Sequence, residues 1–448
     1  MAADARKTAV DALSAIDKGA YSELYLASAI KKAGLDRRDA ALCTAICAGV
    51  LKNRALLDFR IAAYSSVKLK KIAPNILNIL RAAACQIYFL DRVPDSAAVN
   101  AAVEQTRKSG NVKSTGFVNA ILRRMSREKE NPPEPDKKDY VNYLSVRYSH
   151  PEFLVKYFIS RVGEEETEKL LQANNTPAPI VARVNTLLSD CEKVKASLEA
   201  QEVEVNLHPF LPDALVLSRT GSVDALEAYA SGAMTIQDSA SQLCARALAP
   251  TAGAKMLDMC ASPGGKSFAC AALMENRGEI VACDIHEHRV KLIKDGAERL
   301  GVKIVSARQA DGTVFNPAWE NKFDYVLLDA PCSGIGVIRR KSEIRYKTPE
   351  SLSELSPVQR QLISCAARYV KKGGVLVYST CTLMKEENED VFTEFLKNSG
   401  EFAPVDFTLP GGFASSDGML TLWPQRSGTD GFFIAKARKL PDAESARS

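Results

Sequence analysis

Apolar residues recur at three- and four-residue spacing through residues 1–130. The stretches "RKTAVDALSAI", "SELYLASAIKKA", "AALCTAICAGVLKNRALLDFRIAA", "PNILNILRAAACQIYFL", "SAAVNAAVEQTRK" and "GFVNAILRRMS" all have it, and such spacing gives a helix one apolar face. Gly, Pro and Asp separate several of them, as helix boundaries do. Strand signals are few, so residues 1–130 are predicted to form an all-α domain. "ENPPEPDKKD" (130–139) follows, with Pro and charge and nothing apolar, the composition of a linker. Next, "HPEFLVKYFISRV" and "EEETEKLLQAN" read as helices, and "PIVARVNTL", "VEVNLHPFL" and "ALVLSR" as strands. Residues 140–235 are therefore expected to form a small α+β linking region. From residue 236 to 448 apolar runs alternate with amphipathic stretches. The runs are "KMLDMC", "EIVACD", "VKIVSA", "FDYVLLD" and "GGVLVYS"; "HRVKLIKDGAERL" and "VQRQLISCAARYVKK" lie between them. Strand–helix alternation of this kind predicts a parallel, doubly wound α/β sheet. A late pair, "MLTLWPQ" and "GFFIAKARK", is expected to add an antiparallel edge hairpin.

A chain of 448 residues is expected to hold two or three domains. Its start, "MAADARKTAV", is polar, and no uninterrupted apolar run reaches spanning length, so a cytoplasmic protein without a membrane partner is expected. The 11 cysteines are odd in number, form no C-x-x-C, and accompany only four histidines. That argues against a disulfide framework and against a metal site, and for reduced thiols. Charge is unevenly placed. Residues 1–130 carry 22 Lys and Arg against 12 Asp and Glu, a net +10, while the rest carries 37 against 42, a net −5. The positive excess implies a polyanion partner. Seven basic residues fall between Arg107 and Lys129, either as a solvated helix face or as an RNA contact.

In doubly wound sheets, ligands sit outside the carboxyl ends of the strands. The first predicted strand ends in "DMCASPGGKS", whose Gly264 and Gly265 permit a tight turn and a close approach to backbone. The sequence is neither G-x-G-x-x-G nor a P-loop, which disfavours a pyrophosphate cofactor. Asp284 ends the second strand, 20 residues after Gly264, a spacing suited to a carboxylate on ribose hydroxyls. Asp311 lies just past the third strand and Asp329 ends the fourth. Each aspartate alone is an ordinary cap or turn residue. Together they outline a nucleoside pocket.

Cys332 follows Pro331 past the fourth strand, and Cys381 follows "YST" past the fifth. Cys43, Cys47, Cys85, Cys270 and Cys365 lie inside apolar helical runs and read as core. Cys332 and Cys381 lie instead among Asp, Ser, Thr and Gly, where a basic neighbour such as Lys266 would lower a thiol pKa. A thiolate beside a nucleoside cofactor suggests pyrimidine methylation. The thiolate adds to carbon 6, carbon 5 becomes nucleophilic and takes a methyl group, and loss of the carbon-5 proton expels the thiolate. On these residues alone, Cys332 in its Pro-Cys setting is the favoured nucleophile.

"DMCASPGGKS", "DAPCSGIGVIRR" and "YSTCTLMKEENEDV" resemble the motifs of the RNA cytosine-C5 methyltransferases, whose cofactor is S-adenosylmethionine. "RYSHPEFLVKYF", "ANNTPAPIVARVNTL" and "TIQDSASQL" are similar to that family too, and the N-terminal helices resemble a NusB-like RNA-binding domain. The combination is that of bacterial 16S rRNA methyltransferases. The resemblance implies a multidomain chain: an all-α NusB-like domain, a small α+β linking domain and a Rossmann-like catalytic domain. It implies that Cys260, Ala261, Ser262, Pro263, Gly264, Gly265 and Lys266 form the cofactor loop. Asp284 would bind ribose, Asp311 would lie near adenine, and Asp329 near cofactor and target base. It also reverses the order of the thiols: Cys381 matches the nucleophile and Cys332 the residue that assists product release. Ser262 stands where Ala is usual, and Tyr346 where Trp is frequent. A monomer acting on 16S rRNA, without metal, is the implied form.

Two other enzyme classes fail on spacing. A zinc deaminase needs H-x-E with P-C-x-x-C, and "PCSG" and "IHEHR" do not supply them. A dehydrogenase lacks its dinucleotide fingerprint. The remaining alternative is a non-catalytic RNA-binding or antitermination factor with a degenerate methyltransferase fold, against which the intact Gly264, Gly265, Asp284, Cys332 and Cys381 argue.

Overall fold

The computed structural model describes residues 4–19 and 22–441. The chain forms two compact units. The first comprises Met1–Asn175 with Lys341–Tyr346, and the second Thr176–Arg340 with Lys347–Ser448.

The first unit is helical, from Ala5–Ile16 to Glu164–Asn175. The helices at 140–175, grouped with the α+β region in the sequence reading, pack here. Leu13, Ile46, Leu57, Leu80 and Leu122 are fully buried in its core. Helix Thr115–Arg127 shows how the sequence places it: Val118, Ile121, Leu122 and Met125 are buried at helical spacing, while Arg123, Arg124 and Arg127 are exposed.

Among the described residues, one helix, Arg37–Tyr64, is long and apolar enough to cross a membrane by length and composition. No such span was expected. Its apolar side chains pack in this core, and the helix breaks at Asn53 (φ −117°, ψ 19°). There the Asn53 amide donates to Gly49 O at 3.0 Å, and Leu56 N–H donates to Ser149 Oγ at 3.3 Å. The segment Lys341–Tyr346 supplies the partners for the carbonyls at the break. Tyr346 O–H donates to Leu51 O at 2.7 Å, and the Arg345 guanidinium to Lys52 O at 2.9 Å.

His150 is buried in the same unit. Its Nδ1 lies 2.7 Å from Tyr148 O, a carbonyl, so Nδ1 carries the proton and Nε2 accepts from the Asn174 amide at 3.3 Å. Burial, then the nearby Arg345 charge, hold its pKa well below 6.5. The unfolded chain can therefore bind a proton that the folded unit refuses. Stability should be complete above pH 6.5 and fall as acid is added below it, by up to ~1.4 kcal/mol per pH unit from this group. Urea unfolding of wild type and His150→Gln at pH 7.5 and 5.5 tests this. Equal acid losses in the two proteins would remove His150 as the cause.

The second unit begins with an antiparallel sheet of β1 (Ile180–Val184), β2 (Glu204–Leu207), β3 (Ala214–Ser218) and β4 (Met234–Ile236), in the order β2-β3-β1-β4. The larger sheet follows: β5 (Lys255–Asp258), β6 (Glu279–Asp284), β7 (Val305–Gln309), β8 (Phe323–Asp329) and β9 (Val370–Thr380). These five run parallel in the order β9-β8-β5-β6-β7. The expected doubly wound core is present, with β7 placed two to three residues later than its apolar run suggested. The chain closes with β10 (Phe402–Pro404), β11 (Thr408–Leu409), β12 (Phe413–Ala414), β13 (Met419–Leu422) and β14 (Phe432–Lys439). β13 and β14 do pair antiparallel, but β14 is not at the edge. It also pairs along β9, and β10 joins its outer side. Phe433, Ile434, Ala435 and Ala437 are fully buried, which an edge strand would not allow.

Candidate active site

The order of the parallel strands puts the chemistry at one rim. β5 lies between β6 and β8, so the loops after these strands converge at the switch in strand order. The loop after β5 is drawn in by backbone bonds: Ala261 N–H donates to Cys283 O at 2.7 Å, and Gly264 N–H to Ala261 O at 2.7 Å. Gly264 has φ +106°, and a Cβ there would meet the Phe268 ring at 2.3 Å. Only glycine fits. Ala261 is buried, Pro263 exposed, and Cys260, Ser262 and Gly265 intermediate. Burial drives the Cys260 thiol pKa up, which disfavours its thiolate. The Ser262 hydroxyl points to Arg289 O at 3.5 Å.

Lys266 leaves this loop and turns to β8. Its ammonium lies 2.6 Å from Asp329 Oδ2, and Ser379 O–H donates to Asp329 Oδ1 at 2.7 Å. Burial opposes the charge on Lys266, but Asp329 outweighs it and the pKa is raised. Asp258, beneath the loop, is buried and accepts from Ser267 O–H at 2.6 Å; burial pushes its pKa up to about 7.

Asp284 ends β6, is largely buried, and accepts from His286 N–H at 3.0 Å. Asp311 is exposed, and its carboxylate accepts from Thr313 O–H at 2.6 Å and Thr313 N–H at 2.9 Å, which lowers its pKa. Beside it is a cavity of about 400 Å³ lined by Met259, Cys283, Phe315, Trp319 and Tyr369, among others. Phe315 stacks on Tyr369 with ring centroids 5.6 Å apart. The pocket is thus mostly apolar and aromatic, with the Asp311 carboxylate in its lining.

Cys332 and Cys381 meet. Their sulfurs are 3.2 Å apart, although 49 residues separate them in sequence. The pairing of β8 with β9, in which Asp329 sits opposite Ser379, brings them together. Gly336 N–H donates to Cys381 O at 3.0 Å; a Cβ on Gly336 would meet Gly431 O at 2.0 Å, so this close packing needs glycine. The Cys381 pKa is lowered, chiefly by the hydrogen bond from the Cys332 thiol, against burial. The Cys332 pKa is raised well above its ordinary value by that same bond and by burial. The lowering expected from Lys266 is present, but it is a lesser influence than the second thiol. The other cysteines read as core are buried.

Sequence reasoning missed the residues that hold these loops: Ser333 and Thr382, whose hydroxyls lie 2.7 Å apart, together with Ser379, Gln359, Glu387 and Asn388. Most fall inside the quoted motifs, but only their neighbours carried a chemical signal. Among the described residues there is no cluster of His, Cys, Asp and Glu able to hold a metal ion.

Residues 245–438 match the family described as 16S rRNA methyltransferase RsmB/F, residues 3–127 the NusB family, and residues 150–224 the RsmF/B-like ferredoxin-like domain. A probable ribosomal RNA small subunit methyltransferase B from Bacillus subtilis is 37% identical over 97% of this chain and 98% of its own length. The chain belongs to the RsmB/F family of 16S rRNA methyltransferases. A second RsmB relative, also a probable ribosomal RNA small subunit methyltransferase B, from Synechocystis sp., is 33% identical over 94% of this chain and 96% of its own. The solved structure of PH0851 is similar at 29% identity and a TM-score of 0.81, over 97% of this chain and 98% of its own. NSun6 from Pyrococcus horikoshii, solved with SFG, is similar at 25% identity and a TM-score of 0.57, over 65% of this chain and 99% of its own. The three RsmB/F-type parts are thus the NusB-like helical domain, the ferredoxin-like domain and the Rossmann-like methyltransferase domain. Family membership sets aside the degenerate, non-catalytic alternative.

Proposed function

We propose that the protein methylates carbon 5 of a cytosine in small-subunit rRNA, using S-adenosylmethionine and a covalent adduct of Cys381 at carbon 6. The observation that carries this reading is the pair of sulfurs 3.2 Å apart at the rim that also holds the Lys266–Asp329 ion pair. Once one thiol has ionised, the proton that remains bridges the two sulfurs. Cys381 is the one favoured as thiolate and attacks. Once its sulfur is bonded to carbon 6, it no longer accepts from Cys332. Cys332 is then a thiol near two carboxylates, Glu387 and Asp329, whose charges raise its pKa. It first gives its own proton to water. The resulting thiolate is a strong base that takes the carbon-5 proton as the sulfur–carbon-6 bond breaks and Cys381 leaves as thiolate.

When bound, the cofactor supplies the methyl group. The cofactor-facing set is the loop Cys260–Lys266 with Asp284, Asp311 and Asp329. Asp284 is the ribose ligand in this reading, Asp311 lies at the adenine side, and Asp329, fixed by Lys266 and Ser379, lies between cofactor and base. The exposed Lys113, Arg123 and Arg127 of the NusB-like part supply sequence-independent attraction to RNA phosphates. We also assign the protein to the cytoplasm, where its rRNA substrate is found.

The test combines product and cofactor. Incubation of the protein with 16S rRNA and S-adenosylmethionine, followed by bisulfite sequencing, should reveal a new protected cytosine. No protected position on free rRNA or on the small-subunit particle would overturn the reading. Asp284→Ala should weaken cofactor binding about ten- to a hundred-fold, since charge-assisted bonds to ribose hydroxyls are each worth ~1.5–3 kcal/mol. Calorimetric titration measures it, and unchanged affinity would move the ribose contact elsewhere.

A further inference from the structure

The two loops that carry the thiols are each gripped by one of two consecutive side chains. Glu387 is fully buried in the short turn Lys385–Glu387. Its Oε2 accepts from Ser333 N–H at 2.8 Å and from the Gln359 amide at 2.9 Å. The same Gln359 amide donates to Pro331 O at 2.8 Å. The residues on either side of Cys332 are thereby fixed by one Glu–Gln pair. Asn388 does the same for the other thiol. Its Oδ1 accepts from Thr380 O–H at 2.5 Å, and its Nδ2 donates to Thr382 O at 3.0 Å, so it spans the residues flanking Cys381.

We propose that Glu387 and Asn388 are positioning residues that jointly set the spacing of the two thiols, Glu387 through the Cys332 loop and Asn388 through the Cys381 loop. Neither residue is assigned contact with the substrate. The inference rests on the two-thiol reading above for its kinetic consequence, but the geometry it asserts can be measured without it. Two features favour a positioning role over simple packing. A buried carboxylate is an expensive way to cap one backbone N–H, and a neutral amide of the same shape would serve packing as well. The two grips are also adjacent in sequence, so a shift of one loop relative to the other requires one of them to let go. The carboxylate adds an electrostatic effect, because its charge helps to keep Cys332 protonated while Cys381 is the thiolate.

The prediction is a split between two neighbouring residues. In the free full-length protein, diamide oxidation should link Cys332 to Cys381 quickly, two thiols giving one disulfide while the diamide is reduced to its hydrazine. Peptide mass mapping follows the link. Glu387→Ala and Asn388→Ala should each slow it about ten-fold or more, with cofactor affinity retained as the check on folding. With RNA and cofactor, the kinetic effects should diverge. Glu387→Ala should still attack and accumulate a denaturation-resistant adduct, as expected of Cys332→Ala. Asn388→Ala should attack slowly and accumulate none. Should Glu387→Ala not fold, Glu387→Gln keeps the shape and removes the charge. It should accumulate adduct too and lower the pH at which Cys332 is alkylated. Unchanged linking, or the same kinetic defect in both variants, overturns the inference. Slowed linking in both variants, in a protein whose Cys332→Ala variant forms no adduct, supports the positioning geometry and overturns the catalytic reading instead.

Discussion

Cys332→Ala should trap the protein on its RNA. The variant keeps Cys381, so attack at carbon 6 and methyl transfer remain possible, but the carbon-5 proton is no longer removed and the thiolate is not expelled. A band shifted by the mass of the RNA should persist on a denaturing gel and require cofactor to form fully. Turnover should fall by ~10³-fold or more, the scale of losing a positioned acid–base group and then some. Cys381→Ala should give neither product nor adduct. The difference follows from the sulfur pair. With the atoms 3.2 Å apart, only one of the two is readily ionised, and the proposed roles take Cys381, whose pKa is lowered by the bond to Cys332, as that one. An adduct from Cys381→Ala and none from Cys332→Ala would exchange the two roles. Normal turnover in both variants would make the thiols structural.

The assignment of roles shows what a sequence can carry and what it cannot. The strand ends at Asp258, Asp284 and Asp329 were legible because buried parallel strands read as short apolar runs and ligands gather at their carboxyl ends. β7 was displaced because its last residues, Arg308 and Gln309, face solvent, so the apolar run stops before the strand does. Helix Cys191–Glu199 escaped notice because only Val194 and Leu198 are buried, too few positions to set a period. The two cysteines were visible as candidates, yet their order was not. That the two sulfurs, 49 residues apart in sequence, meet at 3.2 Å is a tertiary fact that no local pattern encodes. On residues alone Cys332 was favoured; the family resemblance, not the motif's chemistry, pointed to Cys381. Lys266 was expected at the cofactor loop, and its turn toward Asp329 is a tertiary fact. Gln359 is the extreme case. It is a polar residue on a buried helix face, fully enclosed, with nothing in the local pattern to mark it.

Arg345→Ala should destabilise the first unit by at least ~3 kcal/mol, far beyond an ordinary surface change. The segment "KSEIRY" reads as a polar loop, and its burial has no apolar explanation. The guanidinium accounts for it. Arg345 is fully enclosed: its Nε donates to Ser342 O at 3.1 Å, and the two hydrogens of Nη1 are shared among Lys52 O at 2.9 Å, Asn175 Oδ1 at 2.9 Å, Tyr148 O at 3.2 Å and Ser149 O at 3.4 Å. All but Ser342 O sit where helices break or end: at the Asn53 break, at the close of helix Tyr140–Tyr148, and at the close of Glu164–Asn175. Burial without a carboxylate partner lowers its pKa to about 10, so the charge costs free energy that only the five acceptors offset. Removing the side chain takes the donor from Lys52 O and Asn175 Oδ1, its nearest acceptors, at ~1–3 kcal/mol for each that water cannot reach, while Tyr148 O keeps His150 Nδ1–H and the Asn175 amide. Arg345→Lys should recover less than half of the loss, because a single ammonium cannot span acceptors on several helices. Urea unfolding gives the magnitude, and amide hydrogen exchange gives the place. Faster exchange should appear at Leu56 and at the ends of the two helices before it appears in the catalytic sheet. A loss under 1 kcal/mol, or exchange that rises uniformly over the chain, would mean that the helix ends are held by something other than this arginine.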